Sequence, residues 1–113
     1  MLSEIFSPVN VAFQMAIENN LFNSISMEQL AFICNMSLST FKREFKKVYN
    51  DTPAKYIKKR RLENAANLLS ITNESVSNIA YDSGFQDLTT FSDLFSSTYG
   101  ASPTKYRLTK TRN

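Results

Sequence analysis

Apolar residues at 38, 41, 45, 48 and 49 form one stripe of an α-helix, while Ser39, Lys42, Arg43 and Lys46 recur at helical spacing on the opposite side. One side of this stretch seeks a core; the other presents donors and positive charge. Ser37 is placed to cap its start, and the pattern runs to about Tyr49. Upstream, Met1 to Pro8 has no clear period. A first helix is expected from Val9 to about Phe22, its apolar set being Val11, Met15, Leu21 and Phe22 with Ala12, Ala16 and Ile17. Ser26 and Gln29 have capping-box spacing and start a second helix, with Leu30, Ala31 and Ile33 inward. Asn35 ends it, because Asn tolerates the left-handed conformation found where helices stop.

Downstream, Thr52 as cap and Pro53 at the first helical position begin a long helix to about Leu69. Its apolar side holds Tyr56, Ile57, Leu62, Ala65, Ala66 and Leu69, and its length is roughly 25 Å. Ser70 to Ser75 reads as a polar loop, followed by a short helix from about Val76 to Ser83, closed by Gly84. Asp87 caps a further helix to about Tyr99, with Phe91, Leu94 and Phe95 inward, and Gly100 ends it. Ser102-Pro103 starts a last turn holding Tyr106, and Leu108 to Asn113 reads as a frayed basic tail.

The second half copies the first. Phe41, Phe45, Tyr49, Pro53, Lys55 and Tyr56 recur as Phe91, Phe95, Tyr99, Pro103, Lys105 and Tyr106, always 50 positions on. Ahead of each helix the offset is 49: Leu30-Ala31 becomes Ile79-Ala80, and Asn35-Met36 becomes Gly84-Phe85. The chain's 2 glycines stand at two of the helix ends, and Asn stands at their partners, Asn35 and Asn50. Packing residues and backbone-geometry residues therefore repeat together.

Composition narrows the chemistry. Few Gly and Pro favour helices over a turn-rich β fold. With His absent and a single Cys, Cys34, neither a Cys/His zinc site nor a disulfide framework can be built, and His-based acid–base catalysis is excluded. No Gly-rich phosphate loop occurs, and no cleft, metal set or nucleophile accompanies the carboxylates Asp82, Asp87 and Asp93, so no enzyme is expected and no cofactor. Cys34 reads as a small core residue suited to a reducing compartment. No apolar run is long enough for a membrane span, and no signal peptide is visible.

Net charge is +3, but it is unevenly spread. Residues 1–35 sum to −3, residues 36–69 to +6, and residues 70–113 to zero. Positive charge thus gathers on and just behind the helix ending near Tyr49. A cationic helix placed directly after a short apolar helix and a polar turn reads as the recognition helix of a helix-turn-helix, shaped for a DNA major groove.

Leu30-Ala31, Met36-Ser37, the run Phe41 to Lys47, Pro53-Ala54-Lys55-Tyr56 and Arg61 to Ala65 are similar to the DNA-binding domain of AraC/XylS-type bacterial transcription regulators. The likeness continues through Ile79-Ala80-Tyr81, Gly84-Phe85, Phe91, Phe95, Tyr99-Gly100 and Ser102 to Tyr106, and covers about residues 24 to 107. It implies an all-α fold of about seven helices: two homeodomain-like helix-turn-helix subdomains, 1–51 and 71–113 (the second with the basic tail), joined by a connector helix, 52–70. It also implies sequence-specific binding of double-stranded DNA for transcription regulation. Two recognition helices would enter successive major grooves about one helical repeat apart, roughly 34 Å. A bacterial cytoplasmic, nucleoid-associated location follows from the same likeness, as do RNA polymerase as a further partner and a separate N-terminal sensing or dimerisation domain in the full-length regulator.

The resemblance puts base-edge contacts at Ser39, Lys42 and Arg43, and in the second copy at Thr89, Ser92 and Asp93. Arg43 leads, since a guanidinium bonds guanine O6 and N7 together, worth about 1–3 kcal/mol of discrimination. Phosphate contacts fall to Ser37, Thr40, Lys46, Lys47, Arg61, Thr104 and Lys105. The second copy departs from the family pattern. Basic residues usually stand where Asp93, Ser96 and Ser97 occur, and residues 70–104 sum to −4. The first copy is therefore expected to dominate affinity and sequence choice. The alternative is a protein-interaction module on a helix-turn-helix scaffold, with the acidic second copy as its docking face.

Overall fold

A computed structural model describes residues 8–110. Among these are seven helices and no strand: α1 (Pro8–Glu18), α2 (Met27–Ile33), α3 (Leu38–Tyr49), α4 (Pro53–Ile71), α5 (Val76–Asp82), α6 (Leu88–Tyr99) and α7 (Pro103–Lys110). Of the expected irregular start, residues 1–7 lie outside the described residues, as do the last three of the expected tail, while Pro8 already opens α1.

The helices form two compact units. The first holds the residues through Leu21 together with Ile25–Lys58; the second holds Phe22–Ser24 and the residues from Lys59 on. The first therefore contains α1, α2, α3 and the opening turns of α4. The second contains the rest of α4 with α5, α6 and α7.

In the first unit Phe13, Ile17, Leu21, Leu30, Ala31, Phe41, Phe45 and Ile57 are buried together. Each large side chain there is worth about 1.5–3 kcal/mol in removed apolar surface. The aromatic rings touch in a chain: Phe41 lies 5.8 Å from Phe45 and tilted to it, Phe45 stacks on Tyr49 at 4.3 Å, and Tyr49 lies tilted 4.4 Å from Tyr56. Such pairs add about 0.5–1.5 kcal/mol each beyond area burial. The second unit repeats the device, with Phe91 5.6 Å from Phe95, Phe95 4.5 Å from Tyr99 and Tyr99 5.3 Å from Tyr106. Its core is Leu62, Ala65, Ala66, Leu69, Ile79, Ala80, Phe85, Phe91 and Phe95.

The repeat reaches further back than the chain pattern showed. Ile17, Glu18 and Leu21 correspond, 45 positions on, to Leu62, Glu63 and Ala66. Glu18 accepts hydrogen bonds from the Tyr49 and Tyr56 hydroxyls at 3.2 and 3.0 Å. In the second unit burial, then the neighbouring Tyr106, then Glu63 push the Tyr99 hydroxyl above its ordinary pKa. A carboxylate thus occupies the corresponding position in both copies, hydrogen-bonded to both tyrosines in the first and acting on the Tyr99 hydroxyl in the second.

Turn geometry is where the pairing of Asn with Gly acquires its physical cause. Among the described residues, Asn35 (φ 58°), Asn50 (φ 57°), Gly84 (φ 99°) and Gly100 (φ 73°) have positive φ. After α2, the amide of Met36 donates to the carbonyl of Ala31 and that of Asn35 to Phe32; after α5, Phe85 donates to Ala80 and Gly84 to Tyr81. Both are Schellman closures, which satisfy carbonyls that a helix end leaves open. They set the tight turn of each helix-turn-helix. Asn50 and Gly100 close α3 and α6 by single bonds, to Lys46 and Ser96, each 2.8 Å.

Several expectations are corrected. In α1 the buried residues are Phe13 and Ile17, continued by Leu21 in the turn after it, whereas Val11 and Met15 are exposed, as is Phe22. Ile33 is exposed as well, and Phe32 beside it is 81% exposed. Helix α1 stops at Glu18, with Asn20 turning its side-chain amide back to the Ala16 carbonyl at 2.7 Å. Helix α4 runs on to Ile71, into the expected loop. The last element is a helix of 8 residues rather than a turn and a tail. It is held by Pro103, which is buried, by Tyr106, which packs against the second core, and by Arg107, whose Nε donates to the Leu69 carbonyl at 3.1 Å.

Candidate nucleic-acid interface

Helix α3 is oriented by its own stripe. Phe41 and Phe45 are wholly buried, so Ser39, Lys42, Arg43, Lys46 and Lys47 are turned outward and are exposed. Ser37 caps the helix, its hydroxyl accepting from the Thr40 amide at 3.3 Å and donating to the Thr40 hydroxyl at 3.0 Å. Ser39 Oγ lies 3.4 Å from Ser37 Oγ. The expected contact residues of the first copy therefore share one face and the open end of one helix, with Thr40 half-buried at its edge.

Glu44 is the acidic member of this surface. Its carboxylate lies 3.4 Å from Lys47 Nζ and 4.0 Å from Arg43 Nε. Pairs this exposed are worth at most about 1 kcal/mol, so Arg43 and Lys47 are readily transferred to a stronger anion. Beside α3 opens a groove of about 650 Å³. It is lined by Met27 at the start of α2, by Thr52, Pro53 and Ala54 at the start of α4, and by Lys42, Arg43, Lys46 and Lys47 of α3. Sequence reasoning missed Met27, Pro53 and Ala54 as surface neighbours of α3. The Thr52-Pro53 break marked a helix start, but nothing in the chain pattern placed that start against the cationic face.

The second unit presents a different surface on the same scaffold. Thr89 and Asp93 are exposed and Ser92 is half-buried along α6. Asp87 caps α6: its carboxylate accepts from the Thr90 amide at 2.7 Å and from the Thr90 hydroxyl at 2.8 Å. These bonds hold the Asp87 carboxyl below its ordinary pKa. A charged cap thus stands where α3 has a neutral hydroxyl. Thr104 and Lys105 are exposed in the first turn of α7, where Ser102 accepts from the Lys105 amide at 3.2 Å.

Arg61 stands apart from the other expected phosphate contacts. Its guanidinium donates to the Asn23 carbonyl at 2.7 Å, and burial lowers its pKa. It serves as a strut that ties residues 22–24 into the second unit, helped by Ser24, whose hydroxyl donates to the Gly84 carbonyl at 3.0 Å. No group of three His, Cys, Asp or Glu able to hold a metal occurs among the described residues. None of the described helices is long and apolar enough to cross a membrane.

A short capped helix, a left-handed turn and a second capped helix that buries its aromatics, built twice and exposing cations in the first copy, define a helix-turn-helix DNA-binding domain. A family model described as "Helix-turn-helix domain" matches residues 30–109. The chain belongs to the AraC-type helix-turn-helix family. It is 44% identical over 88 residues to the HTH-type transcriptional activator RhaR of Mannheimia succiniciproducens, a match covering 74% of this chain and 32% of that protein. The chain thus spans about a third of the length of the relatives it matches. The C-terminal domain of the two-component response regulator yesN from Fusobacterium nucleatum superposes with a TM-score of 0.81 at 27% identity, over 89% of this chain and 99% of that one. The DNA-binding domain of AdpA, solved in complex with a target DNA, superposes with a TM-score of 0.80 at 26% identity, over 90% of this chain and 91% of that one.

Proposed function

We propose that this domain reads double-stranded DNA chiefly through α3, with Arg43, Lys42 and Ser39 at base edges and Ser37, Thr40, Lys46 and Lys47 at phosphates. Sequence-specific DNA binding in transcription regulation is the activity the family and the DNA-bound neighbour support. The observation that carries the finer reading is the face of α3: four exposed cations on a helix whose aromatic stripe is wholly buried. The side chains that bear charge are those the core cannot use, so they are free to meet a groove.

The acidic second unit contributes shape fit and hydroxyl contacts from Thr89 and Ser92, with Thr104 and Lys105 at phosphates. Glu74, Asp82, Asp87 and Asp93 are exposed there, which favours a contact with protein, RNA polymerase among the candidates, over one with phosphate. In the intact regulator an N-terminal sensing or dimerisation domain precedes this one, and the whole associates with the nucleoid.

The test begins with selection of bound duplexes from a random pool, followed by affinity measurements on the selected site. Arg43→Ala is expected to lose about 1–3 kcal/mol and to relax one base position, while Asp93→Ala changes affinity little. About five phosphate contacts give a log–log salt slope near −4 to −5. A larger loss at Asp93 than at Arg43 overturns the assignment of the leading role to α3, and salt-independent or absent duplex binding favours the protein-interaction module.

A further inference from the structure

We infer that the groove beside α3 is a binding site for a small apolar anion, and that an occupant there excludes DNA. The exclusion rests on the DNA-binding reading above; the binding site does not. The volume, about 650 Å³, lies within the range of about 300–1,000 Å³ usual for small-molecule sites. Its lining is mostly apolar: Met27, Pro53, Ala54 and the methylene stems of the basic residues, with Thr52 the one uncharged polar residue among them. Its rim carries Lys42, Arg43, Lys46 and Lys47, and no carboxylate lines it.

That combination selects a chemistry. A bare inorganic anion finds exposed, screened cations and no converging buried donors, so it gains little. An apolar cation meets four like charges. A neutral apolar molecule leaves the rim unused. An apolar body with one carboxylate or sulfonate buries its body against Met27, Pro53 and Ala54 and sets its charge among the cations, whose stems pack while their heads stay in water. All four cations are ones the DNA reading assigns to bases or phosphates. An anion held there neutralises them and fills the space beside the recognition helix, so the two ligands compete.

The probe is 1-anilinonaphthalene-8-sulfonate, followed by its fluorescence with the full chain free of DNA. Saturable one-to-one binding is expected. Ala54→Leu fills the groove at an exposed helical position without altering charge, and is expected to weaken the probe about tenfold through loss of the apolar contact surface, with the thermal melt unchanged. Phe32→Ala, which removes an aromatic side chain that is 81% exposed elsewhere on the first unit, is expected to leave binding intact. Saturating probe is expected to raise the apparent Kd for the selected duplex. Absence of saturable binding, or loss of binding in Phe32→Ala with none in Ala54→Leu, overturns the site. Unchanged duplex affinity under saturating probe overturns the exclusion alone. Probe binding by a domain that binds no duplex leaves the site standing and overturns the DNA reading instead.

Discussion

Replacing each glycine with alanine separates backbone strain from collision. Both adopt positive φ, +99° at Gly84 and +73° at Gly100. A side chain held in the left-handed region costs about 1–2 kcal/mol at either site. At Gly100 a Cβ meets nothing within 4 Å, so that is the whole penalty. At Gly84 the Cβ falls 2.6 Å from Arg61 Nε, 3.0 Å from its Cδ and 3.1 Å from the Phe22 carbonyl. Something must move, and the side chain of Arg61 is the more mobile neighbour. Its displacement gives up the 2.7 Å bond to the Asn23 carbonyl. A hydrogen bond from a charged donor contributes about 1.5–3 kcal/mol, and the exposure of Asn23 argues for the low end. Gly84→Ala is therefore expected to lose about 2.5–3.5 kcal/mol, roughly twice the loss in Gly100→Ala.

Urea unfolding of the two variants measures this directly, with tyrosine fluorescence as the probe. The Arg61→Ala background adds the decisive arm. Without the guanidinium the Gly84 collision largely disappears, so the double variant should be less destabilised than the sum of the singles, by about 1–2 kcal/mol. Equal losses at Gly84 and Gly100, or strict additivity with Arg61→Ala, would refute the steric argument and leave only backbone conformation.

Three further outcomes follow from the same geometry. Phe45→Ala and Phe95→Ala remove equivalent, fully buried rings, and each should cost about 3–5 kcal/mol by calorimetry or urea unfolding. Because the Asp87 carboxyl is depressed by its bonds to Thr90, its capping contribution is present above the ordinary carboxylate pKa and fades as pH falls through the lower folded value; Asp87→Asn should flatten that acid limb of the urea midpoint. The Tyr99 hydroxyl is raised, so its contribution holds below the ordinary tyrosine pKa and is lost as pH rises through the higher folded value; Tyr99→Phe should flatten the alkaline limb.

What was legible in the chain was whatever local physics decides alone. The aromatic stripe of α3, its repeat in α6, the Ser26/Gln29 box and the four left-handed turn positions all follow from spacing and residue type. The box closes with the Gln29 amide 3.1 Å from the Ser26 hydroxyl and the Ser26 amide 2.8 Å from the Gln29 side-chain oxygen. In each of these cases one choice of inward residues stands out, so no partner element is needed to settle it.

Helix α1 shows where such reasoning stops. Two stripes of apolar residues, 11/15 and 13/17/21, satisfy the helical period equally. The choice between them is made by what lies opposite: Phe13 packs 5.8 Å from Phe41 and 6.4 Å from Phe45, a partnership between residues far apart in the chain. The same holds for Arg61. As one of four consecutive basic residues it looks like its neighbours, and only the Asn23 carbonyl, 38 positions away, singles it out as a strut. The groove beside α3 is of this kind too, since Met27 and Pro53 become its walls through tertiary folding alone. Local periodicity names the faces of a helix; it does not name the neighbour each face will find, and a binding surface is assembled from those neighbours.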